Sequence, residues 1–416
     1  MPTTAKTSRY EAGLIILLFL TVGTVMMDRM SQLFLGPYLV RDLNLTPGQI
    51  GLLASVVGLG WAFSALVFGA VSDRIGRRAV LIPAVALFSL FSWVSGVVHS
   101  YHELLLARGL LGLAEGPCWS VISALMAESS PIFRRGRNVG IALAAAPLIG
   151  NGLAPIITTR LADLLGWRDV FFIVGIPGMI LAVLLFLFVR EPDRANRPLK
   201  PPGGFANLAA VLKRRNVVLA CLAAIGQGTW LIAFATFAPL YITQVQHQTA
   251  DVAGLLLGGT GIGAFLIGLA GPALSDRFGR RTMIVSAAAL SGLMPLLFMV
   301  PALYAHLPIM VPLIVMTSAG SATAALVLVL VPSDAVPPHL AGIAIGLCTF
   351  FAEFFGAAVA PSLGGRLAES FGLTAPLLLA SGGMALAMIA GLLMQKPGSP
   401  RATLALPISH PLAKES

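Results

Sequence analysis

The chain has 416 residues, of which 57% are hydrophobic and only 11% charged. A soluble domain carries about a quarter of its residues as charges, so this balance excludes an ordinary soluble protein and fits one that crosses a membrane many times. The net charge of +10 does not point to nucleic acid, because the basic residues sit in short loops between apolar stretches. Cys118, Cys221 and Cys348 all fall within apolar stretches. Their odd number and the lack of a C-x-x-C pair argue against a disulfide framework or a metal site.

In chain order, Lys6 and Arg9 lead into an apolar stretch with no small-residue cleavage site, read as a retained first span and not a removed signal peptide. A span needs about 20 apolar residues. Twelve stretches qualify: 12–36, 48–71, 79–99, 103–127, 138–160, 169–189, 216–240, 251–273, 282–301, 307–330, 340–361 and 373–394. The expected class is therefore an all-α membrane protein. Its predicted units are an N-terminal six-helix bundle (1–189), a polar Pro- and Lys/Arg-rich linker (190–215), a C-terminal six-helix bundle (216–394) and a loosely ordered tail (395–416). With the N-terminus in the cytoplasm, 21 of the 27 Lys and Arg lie on the cytoplasmic side and four on the other, while Arg29 and Arg108 fall inside spans. The positive-inside rule then places both termini in the cytoplasm, with the chain in the cell (inner) membrane.

Two internal repeats relate the halves. Ser72-Asp73-Arg74-Ile75-Gly76-Arg77-Arg78 recurs as Ser275-Asp276-Arg277-Phe278-Gly279-Arg280-Arg281, 203 residues later. Each heptad is too charged for the lipid core and is expected to be a tight turn between two spans. Asp73 suits the start of such a turn, where it can bond backbone donors at a helix end, and Gly76 permits the turn. The stretch Thr159–Gly166 recurs as Gly365–Gly372 at an offset of 206, each copy following a proline (Pro155, Pro361).

Charges inside spans carry the functional signal. Each costs about 2.5–3.5 kcal/mol at a helix centre, so such residues usually face a cavity or a partner. Asp28 and Arg29 lie in the first span, Arg108 and Glu115 in the fourth, Glu353 in the eleventh. Counting the rise along oppositely running helices puts Asp28 and Arg108 at similar depth, with Glu115 on the same face as Arg108 and about 10 Å deeper. Arginine stays charged and holds carboxylates or phosphates bidentately, and a buried carboxyl group can exchange a proton near neutral pH. The arrangement suits an anion on Arg108 or Arg29 and a proton on Glu115 or Asp28. The plainer alternative is that these charges only neutralise one another to hold helices together. Glu353 is open between a second proton site, a counter-ion for a basic group on the substrate, and a packing role. Asn151, Gln227 and Trp230 are further candidate cavity-lining residues, and Tyr241 and Ser318 weaker ones.

Twelve spans, a twofold repeat of six spans and the pattern Gly69 to Arg78 (G-x-x-x-D-R-x-G-R-R) resemble the major facilitator superfamily, with Pro272 replacing the leading glycine in the second copy. The first-span Asp28-Arg29, the loop Arg41 to Gly51 and the fourth-span Leu106 to Gly116 resemble two branches of it: proton-coupled organic-anion symporters and spinster-like lipid transporters. Gly175-Ile176-Pro177-Gly178 through Arg190-Glu191-Pro192 leans toward the second. The resemblance implies two bundles rocking about a mid-membrane site. It implies a gating role for Asp73, Arg74, Gly76, Arg77, Arg78 and, in the second copy, Asp276, Arg277, Gly279 and Arg280, with Glu128 and Arg137 in the same network. The glutamate at 353 departs from the amide expected in the anion-symporter branch.

No Walker motif, H-E-x-x-H or nucleophile elbow with a suitable histidine occurs. The expectation is a transporter and not an enzyme, with no cofactor, acting as a monomer on a small anionic substrate with protons, in a lipid bilayer and without nucleic acid. A small carboxylate or sugar acid taken up by symport is the first reading; a lipid, amphiphile or drug exporter driven by proton antiport is the alternative.

Overall fold

The computed structural model describes residues 2–192, 204–304 and 306–395, and among them every regular element is helical. A bilayer imposes this, since a backbone inside hydrocarbon must satisfy its own polar groups. Eleven stretches are long and apolar enough to cross a membrane: Arg9–Phe34, Pro47–Ile75, Arg77–Val97, Tyr101–Ser129, Arg135–Leu165, Trp167–Phe188, Arg215–Val245, Ala250–Phe278, Pro308–Asp334, Pro338–Phe371 and Thr374–Leu393. The twelfth, Arg280–Leu297, stands ninth in order and has 18 residues. It stops short of the expected end at 301, because Pro295 interrupts it and Pro301 begins a separate short helix. The spans are numbered 1–12 in chain order.

The region expected as a polar linker contains a short helix, Gly204–Leu212. Its sequence after Gly204 is largely apolar, and Val211 is buried. The Pro198–Gly203 stretch and the tail from Lys396 lie outside the described residues.

The repeats appear as backbone geometry. Span 2 stays helical through Asp73 and Ile75, so the turn is the single residue Gly76, at φ +119° and ψ 153°. Gly279 repeats it at φ +87° between spans 8 and 9. Gly166 and Gly372, from the other repeat, have φ +94° and +81° at the ends of spans 5 and 11. Such conformations are essentially restricted to glycine. Spans 5 and 11 share a second feature: π-helical segments at Ala146–Leu153 and Ala352–Val359. Pro155 and Pro361 follow each by two residues and cannot donate to the helix ladder, which loosens it there.

Spans 1–6 form one bundle and 7–12 the other. Within the first, Gly112 and Gly116 bring span 4 against the backbone of span 2; a Cβ on Gly112 would meet the Val57 carbonyl oxygen at 2.5 Å. The bundles meet along two seams, span 2 with span 11 and span 5 with span 8. Ser362 N–H donates to Ser55 Oγ at 3.0 Å, Gly48 N–H donates to Glu369 at 3.0 Å, and Arg160 pairs with Asp251 at 3.6 Å. All of these lie on the membrane half away from the basic loops. Toward the basic face, Gly69, Gly268 and Gly271 have their nearest neighbours within their own bundles (Ser120, Ser321 and Ala322).

Candidate functional site

Two charge clusters lie within the membrane spans. The first is inside the N-terminal bundle. Arg108 Nη1 meets Asp28 Oδ2 at 3.1 Å, and both side chains are fully enclosed. The Arg108 guanidinium stacks 4.0 Å from the centre of the Phe171 ring, and Ser92 Oγ hydrogen-bonds the Asp28 carboxylate. Glu115, two turns further along span 4, is also fully buried, and neither of its carboxyl oxygens has a protein partner. Arg108 Nε and Nη2 are unpartnered too. Buried polar atoms are rarely left so, and these are the positions where water or a transferable proton would be held.

The second cluster joins the bundles. Arg29 of span 1 donates from Nη2 to Glu353 Oε2 of span 11 at 2.8 Å. Arg29 is 8% exposed and Glu353 25%. The guanidinium lies 4.2 Å from the centre of the Trp61 ring on span 2, a favourable stacking for arginine. A cavity of about 10 Å³ adjoins it, lined by Arg29, Gln32, Leu33, Ala54, Val57 and Ile232. The adjacent residues Asp28 and Arg29 thus point into different clusters.

The other predicted lining residues are placed as follows. Gln227 and Trp230 on span 7 are buried, and Trp230 Nε1 has no partner. Asn151 is half-buried in the π segment of span 5, where its backbone faces Gly261 of span 8. Tyr241 is buried, and the buried Ser318 hydroxyl bonds its own helix at Ile314.

The heptads form matching networks on the basic face. Arg77 pairs with Asp73 and with Glu128, each at 2.6 Å. Arg280 pairs with Asp276 at 2.7 Å and with Asp334 at 3.2 Å. The backbone N–H groups of Arg77 and Arg78, where span 3 begins, donate to Glu191 at 2.7 and 2.8 Å, so the helix end expected to attract Asp73 is capped by Glu191. Arg78 stacks on Phe186, and Arg277 on Phe278; Arg74 is exposed. Arg137 has its contact with Asn138 instead of the Asp73 network. Sequence reasoning overlooked Trp61, Glu191 and Asp334. Asp334 stands at the repeat offset from Glu128 and was readable on that ground; Trp61 and Glu191 carry no such signal. On the far face, hydrogen bonds from Arg168 and then Trp167 hold Asp42 below the ordinary carboxylate range.

Two related helical bundles with charged side chains buried between spans define a polytopic membrane protein. The family model described as Major Facilitator Superfamily matches residues 17–352 and again 219–408, and the chain belongs to that family. It is 28% identical over 251 residues to a hexuronate transporter of Bacillus subtilis (strain 168), covering 59% of each chain. It is 27% identical over 325 residues to protein spinster homolog 1 of Rattus norvegicus, covering 70% of this chain and 60% of that one. Both matches span less than two thirds of the relative. In fold it resembles a bacterial homolog of the human lysosomal transporter Spinster, crystallised inward-facing and unoccupied, with a TM-score of 0.75 at 18% identity over 92% of this chain and 96% of that one. The chain is therefore a multi-pass membrane protein of a transporter family.

Proposed function

We propose that the protein carries a small organic anion, a carboxylate or sugar acid, together with a proton, by alternating access. The carrying observation is the pair of neighbouring charge clusters: Arg29 at the bundle boundary, bound to Glu353 at 2.8 Å, and Glu115 buried with both oxygens unpartnered. Arg29 is the anion site, because Arg108 is enclosed by Asp28 and Phe171. Asn151, Gln227, Trp230 and Glu353 complete the path around it. Asp28 and Glu115 handle the proton, and Arg108 keeps Asp28 in place. The hexuronate transporter among the relatives supports this substrate class.

The basic face is cytoplasmic by the positive-inside rule. The seams closed on the opposite face support an inward-facing state, which we assign to a monomer in the cell membrane. Residues 1–189 and 216–394 rock as the two units. Asp73, Arg74, Gly76, Arg77 and Arg78, with Asp276, Arg277, Gly279 and Arg280, are the cytoplasmic gate; the ion pairs of Arg77 and Arg280 lie within their own bundles, as in a released latch.

A second reading, export of a lipid or amphiphile by proton antiport, is favoured by the longer alignment with the spinster homolog and by the acid at position 353. Reconstitution separates the two. Under an imposed proton gradient, D-glucuronate uptake should follow the gradient and Glu115→Gln should uncouple it. Uptake indifferent to both would reject the first reading; proton-driven movement of a lysolipid without glucuronate uptake would establish the second.

A further inference from the structure

We infer that Glu353 is an acid that must take up a proton before an anion can bind Arg29, so that binding itself carries the proton with it. This rests on the assignment of Arg29 as the anion site. One guanidinium N–H of Arg29 bonds Glu353, and the other four have no protein partner among the described residues. Arginine offers its donors as a fork that suits a carboxylate. In the structure one N–H of that fork is already taken by a carboxylate of the protein, which sets a negative charge beside the remaining donors.

The charges decide the order of events. With Glu353 ionised, the pair is neutral, and an incoming carboxylate would sit beside a second one at hydrogen-bonding range, which like charges resist. With Glu353 protonated, Arg29 presents a whole positive charge, and the neutral carboxyl group gains an O–H that can donate to the incoming anion. The complex of anion, proton, Arg29 and Glu353 then has the same net charge as the empty site.

Among the described residues of spans 1, 2 and 7, no other ionisable group bonds to the pair. Span 2 has none between Pro47 and Ser72, and span 7 has only Cys221 between Asn216 and Leu240, whose sulfur lies 3.5 Å from that of Cys348 on span 11. On span 1, Asp28 is committed to Arg108. Glu115 lies inside the first bundle, enclosed, whereas Glu353 is a quarter exposed and open to protons from the bundle boundary. The phenylalanines Phe350, Phe351, Phe354 and Phe355 surround Glu353 along its own helix, leaving Arg29 as its charged partner.

The test is binding, measured calorimetrically on the purified full chain in nanodiscs, with D-glucuronate and 4-hydroxybenzoate as probes across a pH series. Wild-type affinity should fall as pH rises, with a limiting slope of about tenfold per pH unit for one proton taken up with the anion. Glu353→Gln should hold the acid-limit affinity at every pH, and Glu353→Ala, which removes the same charge without an amide, should give the same flat profile. Monodisperse elution of either variant establishes that it is folded. Retention of the wild-type slope in both variants would place the proton elsewhere, with Glu115→Gln identifying it, and would overturn the inference alone. Loss of binding at every pH in both would mean that Glu353 is needed to hold Arg29 in its binding position, and would also overturn it. Failure of the wild-type chain to bind either acid at any pH would instead remove the anion reading and this inference with it.

Discussion

The backbone N–H of Gly48 donates to the carboxylate of Glu369 at 3.0 Å, from one bundle to the other. At this helix start Pro47 has no N–H, Gln49 N–H is taken by Thr46 Oγ1 at 3.2 Å, and Ile50 N–H by the Thr46 carbonyl at 3.1 Å. The Gly48 donor is left over, and its partner is an anion where the helix dipole favours one. Two turns in, Ser55 bonds Ser362, and Gly51 lies against the Pro361 carbonyl with no room for a Cβ. A Ser55→Cys/Ser362→Cys pair should therefore cross-link readily. Adding Glu369→Gln should lower the cross-linked population roughly fivefold, for a loss of about 1 kcal/mol. Adding Gly51→Val should lower it further. An unchanged yield in both backgrounds would mean that this seam does not hold the far face closed.

The Asp28–Arg108 pair gives a second prediction. Removing one partner of a buried pair leaves an uncompensated charge and costs about 3–5 kcal/mol. Arg108→Gln should therefore unfold at a markedly lower temperature in detergent, and Asp28→Asn/Arg108→Gln should recover most of the loss. Equal loss in the single and double variants would show that shape around Phe171, and not charge, is what Arg108 supplies.

The turn glycines differ in surroundings. A Cβ on Gly76 would lie 3.0 Å from the Glu191 carboxylate, whereas one on Gly279 meets nothing within 4 Å. Backbone strain alone costs about 1–3 kcal/mol at such angles. Gly279→Ala should show that cost in chemical denaturation, and Gly76→Ala should exceed it because it also disturbs the cap on span 3. Gly136→Ala, in a helix with nothing within 4 Å, should be neutral or slightly stabilising. Indifference to Gly279→Ala would contradict the account of these turns.

The fold was legible because hydrophobic length and loop charge are local quantities. The heptads located Gly76 and Gly279 as turns, whereas the second repeat matched Gly166 with Gly372 without marking either as a turn. The π segments at Ala146 and Ala352 were not visible, since an extra residue in one helical turn barely changes the apolar pattern. In the site, equal depth already set Asp28 level with Arg108. Arg29 and Glu353 each stood out as charges inside spans, but their pairing depends on how the two bundles meet, which no local pattern encodes. Glu369 was noticed only as part of a repeat; its role depends on the leftover donor at Gly48, itself a consequence of Pro47.

The central claim is that one proton accompanies each anion. The most direct measurement is the internal pH of proteoliposomes holding a trapped pH-sensitive dye, with no gradient imposed, when D-glucuronate is added outside. The account predicts internal acidification that follows uptake and vanishes with Arg29→Ala. Uptake of glucuronate with no change of internal pH would contradict it.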